Sequence, residues 1–97
     1  MSDNNSSDSN VIRTPITDEL DLHTFQPREV RSLITEYLIA CKHKGISPVR
    51  IIHGKGKGIL RRIVHAELDV IPWVNEYHIA DTTGGHWGAT IVYIDTS

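Results

Sequence analysis

Between Val30 and Cys41 the apolar side chains Val30, Leu33, Ile34, Tyr37, Leu38 and Cys41 recur at i, i+3, i+4, i+7, i+8 and i+11. That spacing draws one apolar stripe along an α-helix and fits no strand. A helix with one apolar face must lay it on a partner, and the flanking sequence offers a sheet. Glu19-Leu20-Asp21-Leu22-His23 alternates polar and apolar residues, the pattern of a half-buried strand. Val49 to His53 is a short, branched, apolar run suited to a second strand. The helix between them has its own end signals. Pro27 suits the first turn, Lys42 and Lys44 complement the C-terminal dipole, and Gly45 is the expected C-cap.

A second helix is predicted from Leu60, Ile63, Val64 and Leu68 on one face, ending before Pro72. Val74 to Ala80 and Ala89 to Ile94 read as a third and fourth strand, joined through Thr82 to Gly88. The order β-α-β-α-β-β predicts an α/β (α+β) fold, a two-layer sandwich with a four-stranded mixed sheet. Right-handed crossovers make the strands that flank each helix parallel. Residues 1–17 lack periodicity and are rich in Ser, Asn and Asp, so a disordered tail is expected there and one domain over residues 18–97.

Composition enters mainly as exclusions. No run approaches the roughly 18 apolar residues of a membrane span, and Met1 to Asn10 has no apolar stretch for a secretory signal. Cys41 is the single cysteine, which excludes an internal disulfide and a multi-cysteine zinc site. Its position on the apolar stripe reads as packing. A cytoplasmic monomer without a membrane partner is expected. The net charge of -2 averages two unlike regions. Tyr37 to Ala66 contains no acidic residue but holds Lys42, Lys44, Arg50, Lys55, Lys57, Arg61 and Arg62; all 12 acids lie elsewhere. The positive field is therefore concentrated around the glycine-rich segment at its centre.

That segment, His53-Gly54-Lys55-Gly56-Lys57-Gly58, ends a strand and opens a helix. Glycines let backbone N–H groups approach a ligand closely, and the helix N-terminus and two lysines add positive charge. Together they make an anion site suited to a phosphate; the competing reading is a flexible Gly/Lys turn. The nucleotide P-loop pattern is absent. Asp21 and His23, two apart on a strand, share a face about 6.6–6.8 Å apart. Parallel strands end at one sheet edge, so Asp21, His23 and His53 are expected to converge beside the loop. They are the candidate catalytic residues, because phosphodiester cleavage needs a base, an acid and donors for the developing charge. On RNA the 2′-hydroxyl could serve as nucleophile and no metal would be required. Cleaving DNA would more plausibly enlist Mg²⁺ or Mn²⁺, with Asp21 as an oxygen ligand. No zinc or other assigned metal site is expected.

Gly84-Gly85-His86-Trp87-Gly88-Ala89-Thr90 is the third constellation. Trp87, flanked by glycines, either stacks on an unpaired base or packs in the core. Thr90 either offers a hydroxyl to phosphate or simply suits a strand. Of the 6 histidines, His43, His65 and His78 read as surface or helix-face residues, and His86 as a weaker catalytic candidate.

Leu20-Asp21-Leu22-His23, then His53-Gly54-Lys55-Gly56 with Leu60-Arg61, then Gly84-Gly85 through Gly88-Ala89-Thr90, together resemble the small MutS-related (Smr) domain family, as a stand-alone, bacterial-type member. The resemblance implies a sandwich similar to the C-terminal domain of bacterial translation initiation factor three. It also implies nucleic-acid binding, DNA or RNA, with endonuclease activity in many members. By position, Asp21 and His23 match the first motif, His53, Gly54 and Gly56 the second, and Gly85, Gly88 and Thr90 the last. Lys55, Lys57, Gly58, Arg61 and Arg62 are expected to hold backbone phosphates. Two departures stand beside these motifs: Thr24-Phe25 follows His23 where Gly is common, and Gly85-His86-Trp87-Gly88 is one residue longer than the usual pattern. The alternative to an endonuclease is a binding module with the same surface and no turnover.

Overall fold

The computed structural model describes residues 16–54, 58–80 and 88–97. Along them run β1 (Glu19–Asp21), α1 (Pro27–Lys44), β2 (Val49–Ile52), α2 (Ile59–Val70), β3 (Val74–Ile79) and β4 (Ala89–Ile94). The four strands form one sheet in the order β1-β2-β4-β3. β1 pairs with β2 in parallel, and β4 is antiparallel to both of its neighbours. β1, β2 and β3 therefore point the same way, as the helix-linked strands were expected to. β4 slots between β2 and β3, so the sheet is mixed.

The α1 stripe buries Val30, Ile34, Tyr37, Leu38 and Cys41. Val64 and Leu68 of α2 join them over Val49 and Ile51 of β2 and Val92 and Ile94 of β4, forming one core layer. Both α1 ends carry the expected chemistry. Pro27 opens the helix, and the Gln26 N–H donates to Glu29 Oε1 at 2.9 Å. Gly45 sits at φ 73°, and the Gly45 and Ile46 N–H groups close onto the Lys42 and Cys41 carbonyls. Arg31 Nε and Thr35 Oγ1 both reach the Glu67 carboxylate, at 3.2 and 2.7 Å, and tie α1 to α2. Cys41 is fully buried, and burial pushes its thiol pKa up, which suits packing.

Of the expected N-terminal tail, residues 1–15 lie outside the described residues. Ile16 packs against the core, and the Thr17 carbonyl accepts a hydrogen bond from the Tyr37 hydroxyl at 2.5 Å. No described helix is long and apolar enough to cross a membrane. Among the described residues two polar side chains join the buried set, His53 and Thr90.

Leu38 is fully buried where α1 meets the sheet. Leu38→Ala should therefore lower the unfolding free energy by about 2–5 kcal/mol, the cost of lost transfer energy and a residual cavity. Urea titration followed by circular dichroism measures it, and a change below about 1 kcal/mol would contradict this core.

Candidate functional site

β1 stops at Asp21, two residues before its alternation does. The His23 N–H turns back to donate to Asp21 Oδ1 at 2.9 Å, and the Phe25 N–H donates to the Leu22 carbonyl at 3.0 Å. These local bonds leave the sheet ladder in favour of a turn. The same Asp21 Oδ1 lies 2.8 Å from His23 Nδ1. Both side chains are about half exposed, whereas Leu22 between them is fully buried. Burial alone would raise the Asp21 pKa. The His23 backbone N–H and imidazole outweigh it and hold the carboxyl below its ordinary value. A carboxylate at Nδ1 orients the ring and makes Nε2 the basic nitrogen of the neutral imidazole.

The β1–β2 register brings the second motif alongside. Asp21 is opposite Ile52, and the Leu22 N–H donates to the Ile52 carbonyl at 2.8 Å. His53 thus leaves the sheet next to the end of β1, at the edge where parallel strands predicted it. β2 stops at Ile52 because the next two N–H groups, of His53 and Gly54, both donate to the Gly88 carbonyl at 3.0 Å. Gly88 admits no side chain: a Cβ there would lie 2.6 Å from the Gly54 carbonyl oxygen and 3.5 Å from His53 Cε1.

The chain then enters α2 through Gly58 at φ 83°; among the described residues no side chain caps the helix, and its first turn holds no acid. The positive end of the α2 dipole is left to whatever anion approaches. Arg61 and Arg62, both exposed, sit on that first turn. Lys55, Gly56, Lys57, Gly85, His86 and Trp87 lie outside the described residues. Among those described, no group of three His, Cys, Asp or Glu side chains gathers as metal ligands.

Behind this edge lies a cluster that the sequence reading did not assemble. His53 is only 7% exposed, and its Nε2 is 2.9 Å from Thr90 Oγ1. His65 Nε2 reaches the same hydroxyl at 2.8 Å. Thr90, read from the sequence either as offering its hydroxyl to phosphate or as simply suiting a strand, is a fully buried residue of β4, and the hydroxyl is used inside the fold. His65, read from the sequence as a helix-face residue, is instead part of this cluster. Its one sequence signal is weak: it stands at the margin of the α2 stripe, three residues before Leu68. The His53 and His65 rings meet edge-on at 6.2 Å, and the His65 ring lies 4.8 Å from that of Tyr77. The Tyr77 hydroxyl donates to Asp69 Oδ1 at 2.6 Å.

Burial pushes both imidazoles below the ordinary histidine range. At His53 the Gly54 carbonyl partly offsets it, while His65 and Arg61 reinforce it. At His65 Arg61 reinforces it and Asp69 partly offsets it. Both rings are therefore neutral at pH 7.

Two outcomes follow from this geometry. Gly88→Ala should push the Gly54 carbonyl out of place and lower the melting temperature. Differential scanning calorimetry reads that loss, and an unchanged melt would contradict the close approach. The second concerns pH. Unfolded histidines near pKa 6.5 bind protons that the folded His53 and His65 refuse, so stability rises with pH across that range. It should be lost as pH falls from about 7 through the unfolded value toward the lower folded ones. Melts at pH 7, 6 and 5 should show that slope, and His53→Gln combined with His65→Gln should flatten it.

The Smr domain family model matches residues 20–95. The chain is 36% identical over 76 residues to Endonuclease MutS2 of Carboxydothermus hydrogenoformans, and 38% identical over 84 residues to that of Leuconostoc mesenteroides. The alignments take in 78% and 87% of this chain but 10% of each relative, so the chain spans about a tenth of the curated relatives' length. Among solved structures it superposes on the crystal structure of the Smr domain of Thermus thermophilus MutS2 with a TM-score of 0.74 at 28% identity, covering 81% of this chain and 99% of that one. It superposes on YdaL, a stand-alone small MutS-related protein from Escherichia coli, with a TM-score of 0.73 at 28% identity, covering 82% and 66%. The mixed sheet and two helices are those of Smr structures, and the chain belongs to the Smr domain family.

Proposed function

We propose that this chain binds nucleic acid and cleaves its phosphodiester bonds endonucleolytically, acting as a cytoplasmic monomer. The observation that carries this reading is the half-exposed Asp21–His23 pair, beside the strand end that leads into an uncapped helix N-terminus bearing two arginines. The pair supplies an oriented proton acceptor, and the helix end with Arg61 and Arg62 supplies positive charge for a phosphate. Relatives named Endonuclease MutS2, aligned over this same domain, support the reaction class.

In this reading His23 Nε2 takes the proton of the attacking hydroxyl while Asp21 steadies the imidazolium that forms. His53, buried with its two ring nitrogens turned to Gly54 and Thr90, supports the site from the neighbouring strand end rather than exchanging a proton with the substrate. Gly54, Gly56 and Gly58 bring backbone close to the phosphate, and Lys55, Lys57, Arg61 and Arg62 neutralise its neighbours. Gly85 and Gly88 join these in binding the backbone, and Trp87 stacks on an unpaired base. On RNA the 2′-oxygen attacks phosphorus and the 5′-oxygen leaves with a proton, giving a 2′,3′-cyclic phosphate and a 5′-hydroxyl. On DNA water is the nucleophile; a divalent ion there would find one carboxylate, Asp21, whose Oδ1 already accepts from His23.

The test is cleavage of supercoiled plasmid and of structured RNA by the wild type, Asp21→Ala and His23→Ala, with the product ends identified. Losing the proton acceptor should slow cleavage by about 10²–10⁴-fold. Salt-sensitive binding without products in the wild type would favour the binding module. Equal cleavage by all three proteins would overturn the assignment of Asp21 and His23.

A further inference from the structure

We propose that His65 is a positioning residue for this site: through the Thr90 hydroxyl it fixes the tautomer of His53, and with it the turn that carries the chain from β2 toward the phosphate-binding helix end. That role rests on the reading of the edge as a phosphate-binding, phosphodiester-cleaving site.

The hydrogen bonds carry a direction that can be worked out from one end. His53 Nδ1 lies 3.3 Å from the Gly54 carbonyl, which can only accept, so Nδ1 holds the proton. In a neutral His53, Nε2 then accepts, and its partner at 2.9 Å is Thr90 Oγ1. The Thr90 hydroxyl has one proton, and it is donated there. Its lone pairs accept from the other side, where His65 Nε2 stands at 2.8 Å, so His65 holds its proton on Nε2. Reversing the Thr90 hydroxyl would demand a proton on His53 Nε2. With Nδ1 already protonated, that makes a cation in a ring 7% exposed and close to Arg61. His65 Nε2–H thus polarises the whole row toward Gly54.

Two contacts hold His65 in position. Tyr77 of β3 lies against its ring at 4.8 Å, and Asp69, one turn further along α2, accepts from the Tyr77 hydroxyl at 2.6 Å. The far end of the row is the Gly54 carbonyl. It belongs to the residue whose own N–H is already committed to the Gly88 carbonyl, and a Cβ at Gly88 would overlap it. Gly54 is therefore held at its N–H by Gly88 and at its carbonyl by His53. Without the His65 donor, the Thr90 hydroxyl is as well satisfied accepting from a His53 Nε2–H tautomer. In that tautomer His53 Nδ1 no longer donates to Gly54, and the turn loses one of its restraints.

The experiment uses the full chain labelled with ¹⁵N, and compares wild type with His65→Gln and His65→Phe. Gln presents an N–H donor near the position of His Nε2, whereas Phe keeps the ring and removes the donor. Long-range ¹H–¹⁵N spectra should show wild-type His53 protonated at Nδ1 and His65 at Nε2. His65→Phe should give averaged His53 nitrogen shifts, and His65→Gln should restore the wild-type pattern. In cleavage, kcat/KM should fall about tenfold in His65→Phe, the worth of one buried hydrogen bond, chiefly through KM, and recover in His65→Gln. A wild-type His53 protonated at Nε2 overturns the inference, whether or not any variant folds. A folded His65→Phe with unchanged His53 tautomer and unchanged KM overturns it as well. A wild type that neither binds nor cleaves nucleic acid refutes the proposed function, while the tautomer spectra still decide the role of His65.

Discussion

One carbonyl, that of Gly88, accepts from two consecutive N–H groups, His53 and Gly54, and the rest of the site takes its position from that junction. It welds the end of β2 to the start of β4 and stops the ladder there. The chain is released at Gly54 toward α2, whose uncapped first turn carries Arg61 and Arg62. The absence of a Cβ at Gly88 is what permits the two backbones to come so close. Two motifs more than thirty residues apart in sequence are thereby a single object in space.

The edge so formed keeps its histidines in two different environments. His23 is half exposed and lies against the Asp21 carboxylate. His53 and His65 are withdrawn behind it, neutral, and bonded to the same hydroxyl. Desolvation lowers the pKa of the two inner rings and turns them into directional hydrogen-bonding parts. Chemistry and support are thus divided between neighbouring strand ends.

Periodicity made most of this architecture legible. The α1 stripe, the second helix and the strand order along the chain all follow from the spacing of apolar residues, because burial of one face imposes that spacing. That the ends of β1 and β2 lie side by side was readable from parallel strands alone. What could not be read was non-local. The insertion of β4 between β2 and β3 depends on pairing between strands far apart in sequence. The early ends of β1 and β2 depend on an Asp21 side chain and a Gly88 carbonyl that outcompete the ladder. His65 escaped notice because one polar residue at a stripe's margin looks the same whether it faces water or a buried threonine. Thr90 was equally ambiguous, since its hydroxyl acquires meaning only from two rings on other elements.

The Gly88 junction also bears on how the segment before it can vary in length. In sequence, residues 81–87 join β3 to Gly88, and the bonds to His53 and Gly54 are made by Gly88, the last residue before β4. An added residue upstream of Gly88 lengthens that excursion without altering the register of β4 against β2. The junction acts as a fixed stop, so the chain before it can change in length while the strand ends stay in place. The longer Gly85-His86-Trp87-Gly88 sequence is therefore compatible with an unchanged arrangement of His53, Thr90 and His65.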